Sequence, residues 1–381
     1  MGVVASAGMG VDAFWDGLLS DPPSGPRRID DFDPGTWFTT KEARRIDRFA
    51  QFAVAAAAMA LDDAGPVGAD PDRSGVIIGS GVGGLETLEK QIVICHTKGA
   101  DRVSPFLVPM MMANRGAASV SMRFGWRGPC ETPVTACAAG THAIGNAARL
   151  VASGMLDAVL TGGSEAALTP TGMAGFTNMT ALSTTGVSRP FDVRRDGFVI
   201  AEGGAVLVLE ALDAARARGA SIYGEVLGAA STADAYHITA PEPDGGGAVR
   251  CMELALADAE VAAADIRQIN GHGTATPLND AAEAAAIAKV FGSPGPPVTS
   301  TKGVTGHALG AAGALEAVAV LLSIDRRLIP PTAGLEHLDP EVTLDIVREE
   351  PRPWEPGPTL SNSFGFGGHN GCLVLAPVTD D

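Results

Sequence analysis

Pro133-Val134-Thr135-Ala136-Cys137-Ala138-Ala139-Gly140-Thr141-His142-Ala143-Ile144-Gly145 sets a short β-branched run against a block of small residues, after which a helix-forming stretch begins. That order predicts a strand-to-helix turn with the Cys137 thiol at the helix N-terminus. The first N–H groups of a helix lack intrahelical partners, and its dipole is positive at that end. Both favour the thiolate, the nucleophilic form of cysteine. The plainer reading is a buried cysteine packing as a small hydrophobe. Two histidine motifs far downstream shift the balance toward chemistry.

Outward from this stretch, strands and helices alternate. Upstream, residues 39–64 read as one helix, with Arg44, Arg45 and Arg48 interleaved with an Ala-rich face and Gly65-Pro66 as its stop. Gly75-Val76-Ile77-Ile78-Gly79 reads as a short buried strand followed by the glycine turn Ser80-Gly81-Val82-Gly83-Gly84. That turn has no GxxxxGK[ST] match and is read as an ordinary turn rather than a phosphate loop. Downstream, the helix after Cys137 runs to about Ser153-Gly154, and residues 157–163 form another buried strand. Further strands are predicted at 205–210, 222–227, 266–271, 297–300, 359–363 and 371–376, with helices between several of them. The alternation predicts an α/β fold with largely buried sheets. Pro297-Val298-Thr299 ahead of a second small-residue helix echoes Pro133-Val134-Thr135 and makes an internal duplication plausible.

The chain has 381 residues, 46% hydrophobic and 5% aromatic, enough for one large or two ordinary domains. Its 48 glycines and many alanines predict tight turns and close backbone packing. Cys95, Cys130, Cys137, Cys251 and Cys372 are scattered, odd in number and without CxxC spacing. They argue against a disulfide scaffold or a metal site and for a reducing cytoplasm. No apolar run reaches the ~18 residues of a membrane span, and the N-terminus lacks the pattern of a secretory signal. A net charge of −17 disfavours nucleic acid and anionic membranes as partners. An acidic protein partner remains compatible with a local basic patch.

Three downstream segments carry chemistry. Asn270-Gly271-His272-Gly273-Thr274-Ala275-Thr276-Pro277 places a histidine between glycines after a buried strand, on closely approachable backbone. Ser300-Thr301-Lys302-Gly303-Val304-Thr305-Gly306-His307 again puts a histidine at a turn, five residues after a lysine. Asn362-Ser363-Phe364-Gly365-Phe366-Gly367-Gly368-His369-Asn370-Gly371 alternates Phe and Gly as an apolar loop whose N–H groups can face a ligand. With Cys137 these segments resemble the β-ketoacyl-acyl-carrier-protein synthases, the condensing enzymes of fatty-acid and polyketide synthesis, and most closely the discrete elongating (KAS II-like) type. Arg189-Pro190-Phe191-Asp192 and Arg195-Asp196-Gly197-Phe198 also match, so the similarity spans nearly the whole chain.

The resemblance implies a thiolase-like αβαβα five-layer sandwich of two duplicated halves. Residues 1–211 would carry the nucleophile and residues 212–381 both histidines. It implies an acyltransferase of Cys-His-His type: Cys137 holds the acyl group, His272 and His307 stabilise an enolate, and the N–H groups of Cys137 and Phe366 form the oxyanion hole. Lys302 and Glu316 match a buried pair that keeps the histidines neutral. A structural ion pair is an equal reading. Thr274 and Thr276 resemble hydroxyls that bind the pantetheine arm, or are turn formers. Asp280 and Glu283 match an acidic pair, for which charge compensation at a helix start suffices. Phe366 is the expected gate of the acyl pocket. Phe364, Phe176, Met112 and His237 are expected along that pocket or its mouth, with Met112 near a dimer interface. His96, His142, His337 and His369 receive no role, and His142 is expected to pack within the helix after Cys137. Lys41, Arg44 and Arg45 match a carrier-docking helix, or form an ordinary solvated face.

No resident cofactor or metal is expected, because acyl and malonyl groups arrive on the carrier's phosphopantetheine. The expected partners are an acyl carrier protein and a second subunit. That subunit is an identical chain or, if this is the catalytic half of a polyketide heterodimer, a chain-length factor. A non-catalytic scaffold would not need Cys137, His272, Lys302 and His307. A cysteine hydrolase would orient one histidine with a carboxylate or Asn rather than use two. Two departures stand out. Relatives begin with a full strand ahead of Met1-Gly2-Val3-Val4-Ala5, so an open sheet edge is expected. The loop before Arg189 is short, and Thr180 stands where relatives often carry a basic docking residue.

Overall fold

Residues 1–379 are described by a computed structural model. The strands, in chain order, are β1 Gly2–Ala5, β2 Gly8–Met9, β3 Ser74–Gly79, β4 Cys130–Glu131, β5 Ala158–Glu165, β6 Gly203–Glu210, β7 Glu225–Ala233, β8 Gln268–Asn270, β9 Val298–Thr299, β10 Leu328–Ile329, β11 Arg352–Pro353, β12 Thr359–Gly365 and β13 His369–Ala376. One sheet has the order β2-β1-β6-β5-β3-β4, the other β7-β13-β12-β8-β9, and β10 and β11 pair separately. β5 runs parallel to β3 and antiparallel to β6, while β12 runs parallel to β8 and antiparallel to β13. Every residue of β3 and β5 is buried, which is why both read as nearly continuous apolar or small-residue runs.

Helices fill the expected five layers. Arg48–Ala64 and Arg115–Phe124 cover the outer face of the first sheet. Ala139–Ala152 and Ala312–Arg326 lie between the sheets and touch both. Gly246–Asp258 and Pro277–Phe291 cover the second sheet. The central Ala312–Arg326 helix is buried on every side through Ile324, so its sequence is apolar all round except for Glu316 and Ser323. The two central helices touch through glycine. A Cβ on Gly313 would stand 2.0 Å from Thr141 Oγ1, and one on Gly140 would stand 2.8 Å from the Ala314 nitrogen.

The duplication shows in the turns that feed these helices. A 3₁₀ turn precedes each, Ala136–Ala138 and Leu309–Ala311. Each holds a non-glycine residue at positive φ, Ala136 at 50° and Leu309 at 46°. Such backbone costs about 1–2 kcal/mol and persists here between two packed sheets. In the second half an extra helical turn, Lys302–Thr305, separates β9 from the elbow and carries Lys302.

Several expectations need correction. The single helix over 39–64 is two helices, Thr40–Ala43 and Arg48–Ala64. The first has a Thr39/Glu42 capping box, and the Asp47 carboxylate starts the second by accepting from Phe49 N–H. The sheet edge expected to be open is occupied in part: β1 pairs with β6 from Gly2↔Val206 to Ala5↔Gly203, while among the described residues Leu207–Glu210 of β6 pair only with β5. The strand placed at 222–227 lies at Glu225–Ala233, where pairing with β13 overrides a weak polar pattern. The glycine turn after β3 is, as expected, an ordinary turn, and the Glu165 carboxylate accepts from its Gly81 and Val82 N–H groups at 2.6 and 3.4 Å. Among the described residues no helix is long and apolar enough to cross a membrane.

Candidate active site

The turn Ala136–Ala138 presents Cys137 between the sheets, 6% exposed, with the helix beginning at Ala139. Burial pushes the Cys137 thiol up to about 11, against the opposing pull of the Phe366 N–H and the Lys302 charge. Burial thus opposes the thiolate that the helix N-terminus favours. His307 Nε2 lies 3.0 Å from Cys137 Sγ. The Phe–Gly loop closes the other side. Gly365 runs so near that a Cβ there would stand 3.0 Å from the Cys137 nitrogen, and the Phe366 N–H reaches the thiol.

His272 sits at the end of β8, fully buried. Lys302 Nζ donates to its carbonyl at 2.5 Å and lies 3.3 Å from its Nδ1. An ammonium only donates, so Nδ1 accepts and Nε2 carries the proton. That Nε2–H has no partner, and neither does His307 Nδ1. The two rings meet edge to face at 5.3 Å. Burial first, then the Lys302 charge, holds both histidines well below the usual imidazole value. The Lys302–Glu316 pair is buried and in direct contact. Burial pushes the Glu316 carboxyl up to about 7 against the attraction of Lys302.

A cavity of about 360 Å³ opens on this cluster and is lined by Cys137, His272, His307, Thr274, Phe364 and Phe366 among others. Thr276 also lines it and caps the next helix through Asn279 N–H, with Thr274 Oγ1 at 2.9 Å from its own Oγ1. Thr180 and Met179 stand at its wall. Other expected pocket residues lie outside. Phe176 packs edge-on against Phe198 at 5.4 Å. His237 is exposed and accepts from the Thr239 and Ala240 N–H groups, so it shapes a segment that lines the cavity without entering it. Met112 is 44% exposed beyond the cavity wall. Lys41, Arg44 and Arg45 are exposed, and the Arg45 guanidinium lies 4.5 Å over the Phe106 ring.

Sequence reasoning underrated four residues. Glu283 does more than compensate a helix start: its oxygens accept from His272 and Gly273 N–H, both at 2.7 Å, and hold the histidine loop in place. Phe198 lies edge-on to the His307 ring at 5.2 Å, a contact its motif does not announce. Glu165 joins the Gly81 turn to Gly310 N–H in the second half, and burial pushes its carboxyl up to about 7. His142 bonds to Thr135 and Asn370 rather than only packing.

Cys137, His272 and His307 place one ligating atom each within 4.8 Å of one another, the number and kind of donors a soft metal accepts. The surroundings disagree. A metal-bound histidine ordinarily donates its second N–H to an acceptor, whereas the second nitrogen of His272 receives an ammonium. A fixed positive charge beside the donors opposes a cation, so the set fits anion stabilisation better.

Comparison with known proteins agrees with this chemistry. The β-ketoacyl synthase N-terminal domain matches residues 23–215 and the β-ketoacyl synthase C-terminal domain residues 223–336. The chain is 45% identical to 3-oxoacyl-acyl-carrier-protein synthase 2 of Synechocystis sp., over 98% of this chain and 96% of that one. It is 42% identical to the protein of the same name from Coxiella burnetii, over 100% and 98%. Among solved structures, the ishigamide ketosynthase/chain length factor superposes with a TM-score of 0.94 at 34% identity, covering 99% of this chain and 98% of that one. A ketosynthase complex described as a type II PKS acyl-carrier protein with its ketosynthase bound to the hexaketide gives a TM-score of 0.90 at 33% identity, covering 99% and 98%.

Proposed function

The chain belongs to the β-ketoacyl synthase family, and from that premise we propose how its residues perform the family's condensation. The enzyme is a β-ketoacyl-ACP synthase, an acyltransferase that lengthens an acyl chain by decarboxylative Claisen condensation. Cys137 Sγ attacks an acyl thioester, the bond from the acyl carbon to the carrier sulfur breaks, and the Cys137 proton ends on the departing carrier thiol, giving an acyl-enzyme. Malonyl-ACP then enters past Thr274 and Thr276. Its C–CO₂ bond breaks, and the electron pair becomes an enolate whose oxygen accepts from His272 and His307. The enolate carbon attacks the acyl-Cys137 carbonyl. The resulting alkoxide sits between the Cys137 and Phe366 N–H groups, then collapses to expel Cys137 and leave 3-oxoacyl-ACP. Each oxyanion-type donor is worth about 3–4 kcal/mol. The single observation that carries this reading is the unpaired, buried His272 Nε2–H aimed into the Cys137 cavity, its tautomer set by Lys302.

The test is intact-mass spectrometry with acyl-ACP and then malonyl-ACP. We expect an acyl adduct that Cys137→Ala abolishes, followed by a product two carbons longer. An adduct retained in Cys137→Ala would defeat the assignment.

The partners follow from surfaces. Acyl carrier protein is acidic, and Arg44 and Arg45 are exposed. Reversing Arg44 and Arg45 to Glu is expected to weaken carrier binding at least tenfold at low salt, with the difference shrinking as salt screens it. A salt-independent loss would point instead to the Arg45–Phe106 contact. The second subunit is proposed to cover the exposed apolar residues Ile92, Val93, Val108, Met112, Met122 and Val134 beside the open edge strand β4. With that face covered, Met112 becomes a wall of the acyl pocket. An identical chain is the first choice. A chain-length factor is the second, favoured by the ketosynthase/chain length factor neighbour, and an inactive monomer in light scattering would select it. We place the enzyme in the cytoplasm, with its two halves divided at 211/212 and no resident cofactor.

A further inference from the structure

The two amides assigned to the oxyanion hole come from segments far apart in the chain. Cys137 N–H belongs to the elbow before a central helix, and Phe366 N–H to the turn of the β12–β13 hairpin. A hole for one oxygen works only if their separation is fixed. The structure holds a side chain placed to fix it. His142 is buried on the central helix and uses both ring nitrogens. Nδ1 lies 2.8 Å from Thr135 Oγ1, two residues before Cys137. Nε2 lies 3.0 Å from the Asn370 carbonyl, just past the hairpin turn. A carbonyl only accepts, so Nε2 carries the proton and Nδ1 accepts from the Thr135 hydroxyl. The ring therefore ties the elbow to the hairpin through two directional bonds. Gly371 packs on it, where a Cβ would meet the ring at 3.0 Å. The neighbouring Thr141 pins the other hairpin strand through Ser363 Oγ at 2.7 Å.

We propose that His142 is a positioning residue for the condensation: by bridging Thr135 and Asn370 it sets the distance between the two oxyanion-hole amides. This rests on the reading of Cys137 as the acyl carrier. His142 touches no reacting atom, and its loss acts through the geometry of Phe366 N–H against Cys137. A shift of about 1 Å in such a donor costs about 100-fold.

The test compares two reactions of one thiol in the intact protein. Acylation by a C8 acyl-pantetheine thioester passes through an oxyanion, whereas alkylation by iodoacetamide does not. His142→Leu keeps the apolar bulk and loses both bonds, His142→Gln keeps one donor and one acceptor, and Thr135→Val cuts the tie from its other end. We expect His142→Leu and Thr135→Val to slow acylation by about 10- to 100-fold, with KM and the alkylation rate held within a few-fold. His142→Gln should recover most of the rate. Because both ends serve one tie, the double variant should be no slower than the slower single. Acylation at the unaltered rate in Thr135→Val, equal losses of acylation and alkylation, or additive losses in the double variant would each overturn the proposal. If His142→Leu does not fold, Thr135→Val alone decides. No acyl-enzyme from the unaltered protein overturns the condensing-enzyme reading, and this inference with it.

Discussion

Replacing His307 by Ala is expected to leave an enzyme that still loads Cys137 but scarcely releases CO₂ from a malonyl thioester. His307 Nε2 stands 3.0 Å from the sulfur and faces the same cavity as His272. Burial and the Lys302 charge hold its ring well below the usual imidazole value, so at neutral pH it is an uncharged donor and a poor base. As a donor to the enolate it should contribute like other oxyanion-hole groups, and its removal should slow decarboxylation by about 10²–10³-fold. Were it the base that takes the thiol proton, acylation would also fall by about 10²–10⁴-fold. We expect acylation to slow by no more than about tenfold, because the Phe366 N–H and the helix dipole still stabilise charge on sulfur. Acyl-enzyme mass and CO₂ release, followed on the same sample, separate the two roles. Equal losses in both steps would make His307 the base; CO₂ at the unaltered rate would remove it from the enolate site.

The residues that meet at the cavity were legible because their signals are local. A cysteine at a strand-to-helix turn, a histidine between glycines and a Phe–Gly loop each announce closely approachable backbone in a few consecutive residues. The layered fold was legible for the same reason, since buried strands such as β3 and β5 are short uninterrupted apolar or small-residue runs. What escaped depends on partners distant in sequence. His142 finds its carbonyl 228 residues away and Glu165 one of its amides 145 residues away. The break before Arg48 escaped because Asp47 owes its place partly to a bond with Thr87 from another helix. The burial of the thiol escaped for a related reason. A helix N-terminus can be read from a motif, but the burial that pushes the thiol up is assembled by both halves of the molecule.

Lys302 should divide stability from chemistry when it is removed. Lys302→Met strands Glu316 in a buried site, and breaking such a pair from one side costs about 3–5 kcal/mol. The loss should depend on pH in a definite direction. Burial already raises the Glu316 carboxyl to about 7, so between the unfolded carboxylate value and about 7 the native state holds more protons and stability falls as pH rises. Without Lys302 the carboxyl rises further, and the melting-temperature deficit of Lys302→Met should be larger at pH 8 than at pH 6. The double variant Lys302→Met/Glu316→Leu removes both charges and should regain most of the stability, as buried pairs replaced by apolar groups commonly do. It should not regain decarboxylation. His272 Nδ1 would have no ammonium to fix its tautomer, and its titration, observed by NMR, should move upward because the second cause of its depression is gone while burial remains. A double variant that recovered stability and CO₂ release together would reduce the pair to a structural ion pair. Recovery of stability alone would establish that the ammonium is kept in the core, despite its desolvation cost, to hold His272 as a neutral donor facing Cys137.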